Sequence, residues 1–518
     1  MMYDVAVLGG GISGMATAAR LQAAGLTTIV VESHGQLGGC AGFFRRKGFA
    51  FDVGATTLVD FSAGGVGGEL LAAIGIDDLA LDELPGYLAW LPDRCVTLFR
   101  DVVRWRGERL RMLGDSPAHL RLWKTLDHLA DVFWNATRRG VKLPAQSTRD
   151  IWRIATMISP ADWPLARYIR WTVGDLLRSL QLRGDKPLCG LLSMLLEDTV
   201  HADIDDAPLI NGSLGITIRG AGLARARGGM CGFWGRFAAR YRELGGVLRM
   251  GSPVASVSRE QGYLVHLRRG FVRARQVVSA LPIELTTRLA PKEIGESLQP
   301  YLRRNKAAVG GALVLFLGVP QGEVAGQDFT HHQLLQDYGL PLGNGNNMFI
   351  SVSSPGDTLS APAGFRAVMI STHCKLEEWE GLSEQNYSAQ KVAMTELLLR
   401  YSRRVYPRLG ESAIICELAT PRTFERFTRR PRGAVGGFRQ QLSNTNQRAV
   451  PHTTGLPGFW LVGDTTWPGL GTVACVHGSR IVAEGILART PKPIRKIQHF
   501  QELEHEPDDV VREPATRY

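Results

Sequence analysis

Gly9, Gly11 and Gly14 follow a short apolar run, Asp4–Leu8, at the spacing G-x-G-x-x-G. The pattern suits a chain that must lay bare backbone against a phosphate. Gly9 permits a tight turn, Gly11 lets the backbone approach a pyrophosphate, and Gly14 lets a helix lie close on a strand. The helix expected over Met15–Ala24, with Ser13 at its entry, offers free N–H groups and a positive dipole end to an anion. Gly25 suits the end of that helix, and Thr27–Val31 reads as a second, β-branched strand. Glu32 closes it, where a carboxylate accepts from both ribose hydroxyls, and Ser33 stands beside it. No Arg follows Glu32 directly, which disfavours a 2′-phosphate. The bland alternative is a structural glycine turn. Strand, helix, second strand and acid in the right order favour a dinucleotide site.

Two further stretches bear on that ligand. Gly38-Gly39-Cys40 lies a few residues past Glu32 and reads as a second backbone cradle, with a hairpin over Phe43–Gly54. Near the other end, the buried strand Phe459–Val462 runs straight into Gly463-Asp464, and Gly471 and Thr472 open a helix to Leu487. An Asp after a strand can bond a ribityl hydroxyl. A helix starting near Thr472 aims its N–H groups at the anionic N1–C2=O edge of a reduced flavin. NAD needs neither feature, so the two ends together predict FAD. Thr56, Thr57 and Trp467 lie nearest the flavin by motif neighbourhood and are the catalytic candidates, each with packing as its alternative. His331-His332 lacks further ligands at metal spacing and reads as solvated or core. His477 and Cys40 read as packing residues, and no metal site is expected.

The chain has 518 residues, a net charge of +11 and 44% hydrophobic residues, enough for two or three domains. Its basic residues are scattered rather than in runs, which disfavours nucleic acid. Seven widely spaced cysteines without C-x-x-C fit a reducing compartment. No signal peptide and no long apolar span is read, so a cytoplasmic protein associated peripherally with membrane is expected. Residues 94–188 hold six Trp (Trp105, Trp123, Trp134, Trp152, Trp163, Trp171) and many Arg. That mixture suits helices facing an anionic membrane surface, or a helical cap with inward Trp and solvated Arg.

The order of elements predicts an α/β protein with a Rossmann-type FAD-binding domain built from 1–90, 216–290 and 450–489. An α+β substrate domain is interleaved over 91–215 and 291–449. Strands are expected at Ala312–Gly318, Met348–Val352 and Arg366–Ser371, a helix at Glu384–Val405, a returning loop at Pro421–Gln440, and a mobile tail over 490–518.

These motifs resemble the FAD-dependent phytoene desaturase and carotenoid isomerase superfamily, which shares its fold with amine oxidases. The resemblance is carried by Val7–Gly14 with Glu32, Gly38–Gly42, Gly48–Gly54, Val254 after Gly245-Gly246, Ser279–Pro282, Thr423–Gly437, and Gly463-Asp464 with Pro468-Gly469. It implies that Gly38, Gly39 and Gly54 line FAD and that Val254 meets the adenine through its backbone. Cys40 and Ala55 stand where bacterial phytoene desaturases usually carry Arg and Pro, so the chain is closer to the carotenoid isomerase-like branch. The implied substrate is a long hydrophobic polyene. The leading expectation is carotenoid desaturation by hydride transfer to flavin N5, with the electron acceptor open. Isomerisation or saturation on reduced flavin, a soluble amine oxidase and a non-catalytic prenyl-group carrier are the alternatives.

Overall fold

A computed structural model of the protein describes residues 1–490. The tail expected over 490–518 therefore lies, apart from Thr490, outside the described residues. Val5–Leu8 and Thr28–Val31 are buried at every position, as strands covered on both faces must be. Met2–Leu8 pairs in parallel with Thr28–Val31 on one side and with Phe271–Ser279 on the other. Val247–Arg249 and Phe459–Leu461 add parallel strands, and Val254–Glu260 with Gly262–Leu267 extends the sheet antiparallel. These seven strands come from the two ends and the middle of the chain. Helices Ile12–Ala23 and Thr472–Leu487 pack side by side, their contact built from small residues such as Ala16, Ala19, Cys475 and Ala483.

A second seven-stranded sheet runs in the order Ile415–Ala419, Gly311–Pro320, Phe365–Cys374, Asn347–Val352, His331–Leu335, Gly86–Trp90, Cys95–Phe99. Alternation sorts its side chains. Leu313, Leu315 and Leu317 share a core with Leu398, from the helix Glu384–Ser402, and with Tyr406. Val314 and Phe316 face Phe49 and Phe51 from the hairpin Phe43–Arg46/Phe49–Asp52.

Three local expectations change. The 94–188 stretch opens on a strand, Cys95–Phe99, and the second sheet takes up the chain at Gly86, ahead of residue 91. The loop expected over Pro421–Gln440 begins as a helix, Pro421–Thr428, because Pro421 is preset for a first helical turn. His331–Leu335 is a fully buried strand.

Candidate FAD site

The first glycine turn is crowded on one side and open on the other. A Cβ on Gly14 would run into the carbonyl of Gly9, so the helix Ile12–Ala23 sits directly on its strand. A Cβ on Gly11 would meet nothing closer than the Gly38 oxygen at 4.0 Å. Bare backbone thus faces free space at a helix N-terminus, the arrangement that binds phosphate. Gly9 sits at φ +101°, a conformation that L side chains rarely adopt. The second glycine turn lies against the first: Gly38 N donates to Gly10 O at 2.9 Å, and Gly11 bridges Gly38. Gly38 and Gly39 have positive φ, and a Cβ on Gly54 would approach the Cys40 oxygen to 2.5 Å.

The Glu32 carboxylate accepts from Gly10 N at 2.6 Å, His34 N at 2.7 Å and Ser33 Oγ at 3.1 Å, which fixes it at the mouth of the first turn. Ser252 N donates to Glu32 O at 2.8 Å, so the turn leading into Val254 lies beside the acid. At the other end, Val462 N donates to Ser279 O at 3.0 Å and sets Gly463 at the sheet's edge. Gly471 precedes the first helical residue, Thr472, and a Cβ there would meet nothing within 4 Å. Burial, with the Asp464 carboxylate adding to it, pushes the Cys475 thiol up to about 12. The helix that Thr472 opens packs along Ile12–Ala23, the helix of the first glycine turn. Gly9, Gly11, Ser13, Gly14, Glu32, Ser33, Gly38, Gly39, Cys40 and Gly54 thereby form one surface, with Gly471 and Thr472 at its rim.

Asp464 makes an ion pair that sequence reasoning missed, with Arg430 Nη2 at 2.5 Å. Arg430 lies in the stretch Pro421–Gln440, which reads as a returning loop, and within Thr423–Gly437, which carries part of the resemblance, but nothing there pairs it with Asp464. A second missed pair is buried beneath the site: Asp52 with Arg225 at 2.7 Å. Arg225 also donates to the Thr56 carbonyl at 3.2 Å.

Thr57 links the cradle to the second sheet through the Tyr87 hydroxyl at 3.1 Å. Tyr87 stacks on His331 at 5.2 Å, and the Arg219 guanidinium lies over the Tyr87 ring at 4.7 Å. Arg219 donates to Gln333, which donates to Asp198. Burial raises the Asp198 carboxyl to about 6, against the pull of His373 and Arg219. A polar line therefore crosses the sheet from Thr57 to Asp198. Trp467 lies elsewhere, in a small apolar cluster with Val141, Ala449 and Ile481, edge-on to His477. Among the described residues no cluster suits a metal ion.

Two helix N-termini, bare glycines at 11 and 471, and a fixed ribose acid fit FAD in extended form. The model for the flavin containing amine oxidoreductase family matches residues 12–487. The chain belongs to that family. This flavin amine oxidoreductase-family protein is an FAD-dependent oxidoreductase of the carotenoid desaturase and isomerase kind. It is 25% identical over 507 residues to prolycopene isomerase 1, chloroplastic, of an Oncidium hybrid cultivar, covering 94% of this chain and 84% of that protein. It is 33% identical to hydroxyneurosporene desaturase of Rhodobacter capsulatus over 171 residues, 32% of this chain and 33% of the desaturase. A redesigned putrescine oxidase superposes with a TM-score of 0.63 at 15% identity, over 94% of this chain and 100% of the oxidase. That likeness shows the fold of the family member alone.

Proposed function

We propose that this protein acts on a long apolar polyene of the carotenoid kind and changes the geometry of its double bonds. The span of the similarity carries the reading. Prolycopene isomerase is matched across 94% of the chain, a span that takes in both the FAD cradle and the second sheet. Bound FAD supplies a hydride acceptor or donor. The protein contributes alignment and a dry slot, which matter most for a substrate with few polar handles. Thr57, tied to Tyr87, holds the cradle against the sheet that would floor the slot.

Desaturation is the second reading. The 33% identity to a desaturase over 32% of the chain favours it, as does Asp198, whose carboxyl burial raises to about 6, into the range that suits a proton acceptor. One anaerobic experiment separates the two. Isomerisation expects the polyene spectrum to change only with reduced flavin, which stays reduced. Desaturation expects oxidised flavin to bleach while the polyene band moves to longer wavelength. No response to any polyene with either flavin state would sink both.

We also propose that the polyene is drawn from an anionic membrane surface. The six tryptophans divide by exposure: Trp105 and Trp123 are buried, Trp134 and Trp171 half-buried, Trp152 and Trp163 exposed. The helix Thr148–Met157 has no buried residue and presents Ile151 and Trp152, while Trp163 and Ile169 are exposed nearby in sequence. Arg149, Arg153, Arg167 and Arg170 are exposed among them. Apolar rings beside cations match the headgroup region of anionic lipid. Among the described residues no helix is long and apolar enough to cross a membrane. Vesicles containing phosphatidylserine should sediment the protein better than neutral ones, and Trp152→Ala with Trp163→Ala should cut that binding severalfold. Equal sedimentation with both vesicle types refutes the electrostatic part.

A further inference from the structure

We infer that Arg430 is the counter-cation for the FAD diphosphate, held in position by Asp464. The inference rests on the FAD cradle and not on the identity of the polyene. The cradle has a charge problem. Gly9–Gly14, Gly38–Gly42 and Gly463–Thr472 contain no Lys or Arg, while Glu32 and Asp464 contribute two acids. A diphosphate brings two more negative charges. Helix N-termini offset part of this, by about half a unit charge each.

Arg430 answers the deficit from a different part of the chain. It follows the helix Pro421–Thr428, and its side chain is only 14% exposed. One Nη2 bond goes to Asp464. Among the described residues, no other partner within hydrogen-bond distance takes its remaining N–H groups, and they are not sealed off from solvent-sized space. The loop beyond it is pressed onto the same site, since a Cβ on Gly437 would run into the Asp464 carbonyl. Ala280 N donates to Leu8 O at 2.9 Å and Val462 N to Ser279 O at 3.0 Å, so the Gly9 turn and the Gly463-Asp464 turn leave the ends of strands in one run of the sheet. Burial raises the Cys40 thiol, and Arg430 draws it back down. Burial works against the charge of Arg430, but the Asp464 carboxylate holds its proton firmly. The cation thus stands at the Gly463-Asp464 turn, on the same edge of the sheet as the Gly9 turn and with donors to spare. A guanidinium in that state is suited to phosphate oxygens, which it binds through two N–H groups at once. Asp464 fixes one edge of its fork and leaves the other free.

The test uses apoprotein of the full chain, titrated with FAD, ADP and adenosine. ADP carries the diphosphate without the flavin, and adenosine carries neither. Arg430→Gln should weaken FAD and ADP alike, by about tenfold or more, and leave adenosine unchanged. Added salt should weaken FAD binding more in the parent protein than in Arg430→Gln. Unchanged FAD affinity overturns the inference. So does a loss confined to FAD with ADP unaffected, because the charge would then serve the flavin ring. Should Arg430→Gln fail to fold, Arg430→Lys keeps the test open. Its ADP affinity must exceed its adenosine affinity by a salt-sensitive margin, and a salt-independent margin overturns the assignment.

Discussion

Replacing Arg225 with Met should destabilise the folded protein by about 3–5 kcal/mol. Asp52 and Arg225 are 3% and 4% exposed and lie 2.7 Å apart. Burial raises the Asp52 carboxyl even with Arg225 beside it and Met230 N donating at 2.7 Å. Without the guanidinium, Asp52 must either stay ionised with one backbone donor or take up a proton at neutral pH. Both cost stability. The loss should spread to the cofactor. Arg225 holds the Thr56 carbonyl, and Asp52 leads into Gly54, which packs on Cys40. Urea unfolding of the parent and variant apoproteins measures the effect. Asp52→Leu combined with Arg225→Met should recover part of it, since an apolar pair leaves no charge stranded. A variant midpoint equal to the parent's rules the argument out.

Acid should unfold this protein over a narrow range. His332, His452 and His477 are buried, and burial pushes each imidazole down to about 4. In the unfolded chain each titrates near 6.5. Between those values the unfolded state binds protons that the native state refuses. Stability is therefore complete above about pH 6.5 and falls as pH drops toward 4. Each histidine contributes about 3 kcal/mol to that fall, and the three about 10 kcal/mol. Asp198 acts in the opposite sense. Its carboxyl is raised to about 6, so the native state gains stability as pH falls from 6 toward 4, offsetting about 3 kcal/mol. The balance is comparable to the whole stability of an ordinary domain. Urea midpoints measured between pH 7.5 and 4.5 should drop steeply below pH 6. A flat profile would show that these imidazoles open to water without unfolding.

Local chemistry was legible in the sequence, and chemistry assembled across the fold was not. The turn at Gly9–Gly14 and the strand end at Gly463-Asp464 declare themselves because spacing and neighbours lie within a dozen residues. Arg430 with Asp464, and Asp52 with Arg225, are pairs made by tertiary packing, and neither partner looks unusual in its own segment. His331–Leu335 reads as polar, yet its three polar side chains are buried because each finds a partner: His331 with Ser351, His332 with Tyr406, Gln333 with Asp198. Composition also could not sort the tryptophans. Trp123 and Trp152 both lie on helices within the Arg-bearing 94–188 stretch, and the layer packed over Trp123 separates them.

The strand Met2–Leu8 waits for Phe271–Ser279, and the helix Ile12–Ala23 waits for Thr472–Leu487. While the ribosome is still at work, the nucleotide-binding half is a sheet with unsatisfied edges. Residues made early are thus sealed only when residues made much later arrive, which leaves apolar strand edges open in the meantime. A dinucleotide held by turns from both regions of the chain should therefore tie them together by mass action, so that FAD raises the urea midpoint above that of the apoprotein.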